Sequence, residues 1–168
     1  MKRIVVSIVS LLLLFSVSGA AQQLDSAKRE ALEAKLAEYF EALKYESLDV
    51  QKEEADFLIE STSDSLVRQF VACTVYDHFI DSPVMGSEAV AVHVYDRWFA
   101  PGKVKMNNDM DLLNARIFAD FNRQSLIGEK APELVVESLD GSQVELFTEA
   151  DKSGRYRVLF FYDADCAK

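Results

Sequence analysis

Apolar residues recur at helical intervals over the first two thirds of the chain and in short strand-like runs after it. Leu32, Leu36, Tyr39, Phe40 and Leu43 share one helical face, and Asp25 or Ser26 is placed to cap its start. Lys and Glu fill the other side, which makes that side a solvated face. Asp49 is the expected cap of a second helix carrying Phe57, Leu58 and Ile59 and ending in the polar run 61–64. A third helix starts from Ser63 or Asp64, with Leu66, Phe70, Cys73 and Ile80 on one stripe, and stops at Ser82-Pro83, because the residue before proline is driven out of the helical region. The segment from Ser87 to Phe99 predicts a fourth helix, apolar on most sides (Val90, Val92, Val94, Tyr95, Trp98, Phe99) and therefore central. After Ala100-Pro-Gly102, Asn107 or Asn108 caps a fifth, whose apolar positions are Met110, Leu113, Ile117, Phe118 and Phe121.

The grammar changes at Ile127-Gly128. Leu134 to Leu139 and Val144 to Phe147 are short strand candidates around Asp140-Gly141, a strong hairpin turn signal. Arg155 to Tyr162 is a continuous apolar run of the kind that fills a central strand buried on both faces. The expected fold class is α+β, with an all-α helical domain over residues 22–125 followed at 126–168 by the beginning of an α/β domain.

Residues 1–21 stand apart. Lys2 and Arg3 precede an apolar stretch, Ile4 to Val17, and small residues follow at 18–21. The stretch is shorter than the roughly 20 residues that span a bilayer, so a cleaved secretory signal is expected, with an uncleaved membrane anchor as the alternative. No cysteine lies near the cleavage site, which disfavours lipid anchoring. Without that segment the chain keeps 16 basic against 28 acidic residues, a formal charge of −12. A surface so acidic repels phosphate backbones and excludes nucleic acid as a partner. Nearly half of the residues are apolar (49%), enough for a packed core.

Two cysteines are present, Cys73 and Cys166. Cys73 falls in the middle of an apolar helix face, the place of a buried structural thiol. Cys166 follows the apolar run 158–162 after a short loop. The segments Ile127-Gly-Glu-Lys-Ala-Pro-Glu-Leu134, Asp140-Gly141, Val144-Glu-Leu146 and Val158-Leu-Phe-Phe-Tyr162, together with Cys166, resemble the opening of a TlpA/ResA-type thioredoxin-like domain. The resemblance covers about the last quarter of the chain. It implies an exported thiol–disulfide oxidoreductase, periplasmic, using no cofactor and no metal, with Cys166 as the attacking thiol. Its partners would be protein disulfide or dithiol substrates and a thiol protein that donates or accepts electrons. In that pattern the cysteine follows the strand's last phenylalanine by five positions, as Cys166 follows Phe161. Peroxiredoxins are similar here too, but carry Thr or Ser three residues before their cysteine, where this chain has Asp163.

The family pattern implies a resolving cysteine at 169, one place past the last residue, so the expectation is a truncated piece that is inactive alone. Asp163 and Asp165 would raise the pKa of the thiol, partly offset by Lys168. Two other function classes stay open, a non-enzymatic helical docking module and a thiol peroxidase. His78 and His93, on separate helices, read as structural histidines rather than metal ligands. Outside Cys166 no residue pattern points to catalysis.

Overall fold

The computed structural model describes residues 24–131, 133–147 and 158–163. The proposed signal segment and Cys166 therefore lie outside the described residues. The chain forms two compact units, one ending at Glu129 and one beginning at Lys130. Helices dominate the first and a two-stranded antiparallel sheet marks the second, so the chain is α+β. The break falls a few residues beyond 125, because Leu126 still packs on the helical core.

In the helical unit, α1 (Ser26–Leu43) buries Leu32, Leu36, Tyr39, Phe40 and Leu43, the full stripe that its spacing predicts. Helix α2 (Leu48–Glu60) is capped by Ser47, whose Oγ accepts from the Val50 amide at 3.3 Å. Asp49, expected as the cap, instead sits in the first turn, where its charge opposes the positive end of the helix dipole. Helix α3 (Ser65–Ile80) starts at Asp64, whose carboxylate accepts from the Leu66 and Val67 amides at 2.8 and 3.0 Å.

The buried arc of α3 is Val67, Val71, Ala72, Cys73, Val75, Tyr76 and Phe79. It is turned by about one residue from the expected stripe, leaving Leu66 exposed and Phe70 and Ile80 at the margin. The reason is that α3 packs between α2 and α4, so two sides are covered, and a helix apolar on several sides carries no single-stripe signal. Phe70 is roofed by the Arg29 guanidinium, 5.1 Å from its ring centre.

The expected single helix Ser87 to Phe99 is α4 (Glu88–Val94) followed by a π-helical turn, Tyr95–Phe99. The Ala100 amide bonds back to the Tyr95 carbonyl, five residues earlier, at 2.9 Å. This segment is central, as expected: Val90, Ala91, Val94 and Phe99 are all buried. Before it, Gly86 has φ +94°, and a Cβ there would lie 3.0 Å from Ile127 Cδ1 and 3.2 Å from Leu48 Cδ1, so backbone sign and close packing both select glycine.

Helix α5 (Asp109–Asn122) is capped by Asn108, whose Oδ1 accepts from the Asp111 amide at 2.9 Å. Its packing reverses the sequence expectation. Ala115 and Ala119 face the core, Phe118 is partly buried, and Met110, Leu113, Ile117 and Phe121 are exposed. The small side chains let α5 approach α4 and the π turn closely, and close approach on one side leaves the large residues on the other.

In the second unit, β1 (Val135–Glu137) pairs antiparallel with β2 (Gln143–Glu145), with Val136 opposite Val144. The connection is a three-residue loop, Leu139-Asp140-Gly141, closed by Ser138 N–H to Ser142 C=O at 2.7 Å. Gly141 has φ +82°, the left-handed position that such a loop requires. Asp140 accepts from the Ser142 amide (3.0 Å) and hydroxyl (2.7 Å), which holds its carboxyl below the usual range. The expected strand Arg155 to Tyr162 is not formed over its described part: Val158–Asp163 has no regular structure. A strand of this composition needs a sheet on either side, and the described residues pair it with none.

Candidate functional site

Cys166, the expected attacking thiol, lies outside the described residues. The run that leads to it, Val158–Tyr162, is largely exposed, and the Phe160 and Tyr162 rings stack with centroids 6.1 Å apart. The segment forms no strand, and no strand among the described residues pairs with it.

The other thiol is placed clearly. Cys73 is 5% exposed on α3. Burial, reinforced by the nearby Asp77 charge, pushes its pKa up to about 11, although the Asn107 backbone works in the opposite direction. A thiol held protonated in this way is a poor nucleophile at neutral pH. Beside it, burial and the Asp77 charge push the Tyr76 phenol up to about 12. Tyr76 Oη is buried with no hydrogen-bond partner. Tyr76→Phe is therefore expected to leave stability unchanged or to raise it by up to about 1 kcal/mol, read as the midpoint of urea unfolding, because it removes a desolvated hydroxyl that gains nothing.

The two histidines are structural, each for a different reason. His78 stacks on Phe40 with ring centroids 4.0 Å apart and planes 9° from parallel, and desolvation lowers its pKa despite the pull of Glu41. His93 Nε2 lies 2.9 Å from Asp56 Oδ2. Asp56 is the polar hub of the helical unit. Its Oδ1 accepts from Trp98 Nε1 at 2.7 Å and lies 3.2 Å from Arg97 Nε, while Arg97 Nη2 reaches Glu60 at 3.1 Å.

The π turn explains why one carboxylate can hold three side chains. Widening the turn brings the residue five places on above the first, so that His93 and Trp98 lie on one side with Arg97 between them. Asp56 with Glu60, and His93 with Arg97, are both (i, i+4) pairs. That matched spacing on two helices was the available sequence signal for this cluster, and charge periodicity on single helices does not show it.

Clefts on the helical unit include two beside these residues. One, of about 540 Å³, runs between α1 and the end of α3, over Phe40 and Phe79, with Glu41, Asp77 and Asp81 on its walls. The second, of about 480 Å³, lies between α3 and α5 and includes Cys73, Tyr76, Asn107 and Asp111. Burial raises the pKa of Asp77, with Asp81 and Asp111 adding to the shift. Neither cleft carries a nucleophile paired with a base. Among the described residues no group of three or more His, Cys, Asp or Glu side chains could hold a metal ion, and no helix is long and apolar enough to cross a membrane. Comparisons with protein families, with curated proteins and with solved structures return no match.

Proposed function

We propose that this chain belongs to an exported thiol–disulfide oxidoreductase of thioredoxin-like type, in which a helical domain precedes the thioredoxin-like segment in the sequence and Cys166 is the attacking thiol. The observation that supports the reading is the order of parts in the second unit. A hairpin turning on Asp140-Gly141 is followed by the exposed apolar run Val158–Tyr162, which leads in the sequence to Cys166. In this chemistry the Cys166 thiolate attacks one sulfur of a substrate disulfide. A new S–S bond forms to Cys166 as the substrate S–S bond breaks, and the departing sulfur leaves as a thiolate that takes up a proton. A second thiol then displaces the substrate. Cys73, buried in α3, does not fit that role.

Reaction with a small aromatic disulfide under native conditions tests the reading. One thiol per chain is expected to react rapidly, to be lost in Cys166→Ser and retained in Cys73→Ser, with Cys73 reacting only on unfolding. With glutathione disulfide, the Cys166 mixed disulfide is expected to accumulate, seen as a glutathione adduct by mass spectrometry. A Cys166 no faster than a free peptide thiol would sink the proposal. Rapid consumption of hydrogen peroxide by Cys166 would instead promote the peroxidase reading.

A non-enzymatic docking role for the helical unit is the second reading. It is favoured by the apolar outer face of α5, which the packing of the unit leaves uncovered.

A further inference from the structure

The cleft of about 480 Å³ between α3 and α5 is a gap that the packing itself creates, because both helices rest on α4 and neither makes its main contact with the other. Helix α3 lines it with Cys73, Tyr76, Asp77 and Ile80, four residues of one helical face. Asp111 and Phe118 come from α5. Met106 lines it from the preceding connection, where its carbonyl accepts from Gln69 Nε2 at 3.0 Å. Tyr76 is 3% exposed and its hydroxyl has no hydrogen-bond partner, so a desolvated polar group stands in the wall of an open space. That hydroxyl gains a bond only from something outside this chain. We infer that the cleft binds a small organic ammonium compound, its charged amine held by Asp77 and Asp111 and donating to the Tyr76 hydroxyl, its apolar body lying over Ile80, Met106 and Phe118.

The charge of the ligand follows from the walls. Neither Lys nor Arg lines the cleft, and the charges that act on Asp77 are those of Asp81 and Asp111. Asn108 Nδ2 donates to Asp111 Oδ2 at 2.9 Å and leaves Oδ1 unbonded. A bound cation relieves the repulsion between these carboxylates, and an anion would add to it. The thiol of Cys73 is held protonated by its burial, so it adds no further charge. A bare metal ion fits less well, since no group of three or more His, Cys, Asp or Glu side chains among the described residues could hold one. The volume lies within the roughly 300–1,000 Å³ of small-molecule sites. The larger cleft shares Asp77 but lacks this character. There Glu33 and Glu41 are already paired with Arg29 and Lys44, Lys44 itself stands in the wall, and no buried polar group is left without a partner.

Calorimetric titration of the purified full chain with 2-phenylethylammonium chloride tests the inference. Saturable binding at one site per chain is expected, about tenfold or more tighter than that of the neutral 2-phenylethanol, with none for phenylacetate. Asp77→Asn, which keeps the shape of the side chain and removes its charge, is expected to weaken binding about tenfold. Tyr76→Phe is expected to weaken it about fivefold while the unliganded protein keeps or raises its thermal midpoint, so that lost binding is not lost folding. Glu41→Gln, on the wall of the larger cleft alone, is expected to leave the affinity unchanged. Absence of saturable binding by the cation, equal binding of the alcohol, or an affinity indifferent to Tyr76→Phe or to Asp77→Asn would overturn the proposal. So would a loss of binding in Glu41→Gln, which would put the cation in the other cleft.

Discussion

Replacing Asp56 with alanine is expected to destabilise the helical unit by about 3 kcal/mol, lowering its thermal midpoint by about 10 °C or more. The side chain is only 14% exposed and is shared by His93 Nε2, Trp98 Nε1 and Arg97 Nε. Removing it strands the Trp98 indole N–H in a buried setting, and this unsatisfied donor costs more than the lost bond was worth. The Arg97 guanidinium turns to solvent and keeps Glu60, so its share of the loss is small. Asp56→Asn separates charge from hydrogen bonding. The amide oxygen still accepts from Trp98, and the expected loss falls to about 1 kcal/mol. Glu60→Ala removes only an exposed pair and should cost no more than about 0.5 kcal/mol. Urea unfolding followed by the fluorescence of Trp98, the single tryptophan, measures all three. Equal losses for Asp56→Ala and Glu60→Ala would show that the hub does not hold α2 to the π turn.

What could be read from the sequence was set by how local its cause is. The α1 stripe was legible because a helix with one buried side writes that side into its spacing, and all five expected residues are buried. The caps of α3 and α5 were legible to within two adjacent residues, Ser63 or Asp64 and Asn107 or Asn108, and the turn at Asp140-Gly141 was legible outright, because local backbone geometry favours these residue types. The face of α5 was not, since hydrophobic spacing ranks Met110, Leu113, Ile117 and Phe121 above Ala115 and Ala119. Close helix approach inverts that order, and approach distance belongs to the neighbouring elements. The π turn had no local mark either. It places His93, Arg97 and Trp98 around one carboxylate on another helix, a tertiary arrangement that no window of sequence contains. For the candidate thiol, spacing and neighbouring residues carried the reading, and the described structure contributes the hairpin ahead of it.

Phe99→Ala carries the largest expected loss, about 3–5 kcal/mol in the midpoint of chemical unfolding. Phe99 closes the π turn at 2% exposure and meets Tyr76 of α3 edge to face, with centroids 5.9 Å apart and planes at 88°. Truncation removes a whole ring from the place where α3 and the π turn meet, and the helices around it are fixed by their own contacts to α2 and α5. Collapse into the void is therefore limited, which favours the upper part of the range. Nor would water refill it well. A buried water needs two to four polar partners, and the unpartnered Tyr76 hydroxyl supplies one. Phe99→Leu, which keeps most of the apolar volume, should recover more than half of the loss. The double variant Tyr76→Phe with Phe99→Ala tests whether the Tyr76 hydroxyl couples to Phe99. Tyr76→Phe retains the ring, so its effect should add to that of Phe99→Ala within about 0.5 kcal/mol. Strong non-additivity would mean that the hydroxyl, rather than the ring edge, couples to Phe99, and it would place the orphaned oxygen at the centre of the core's energetics.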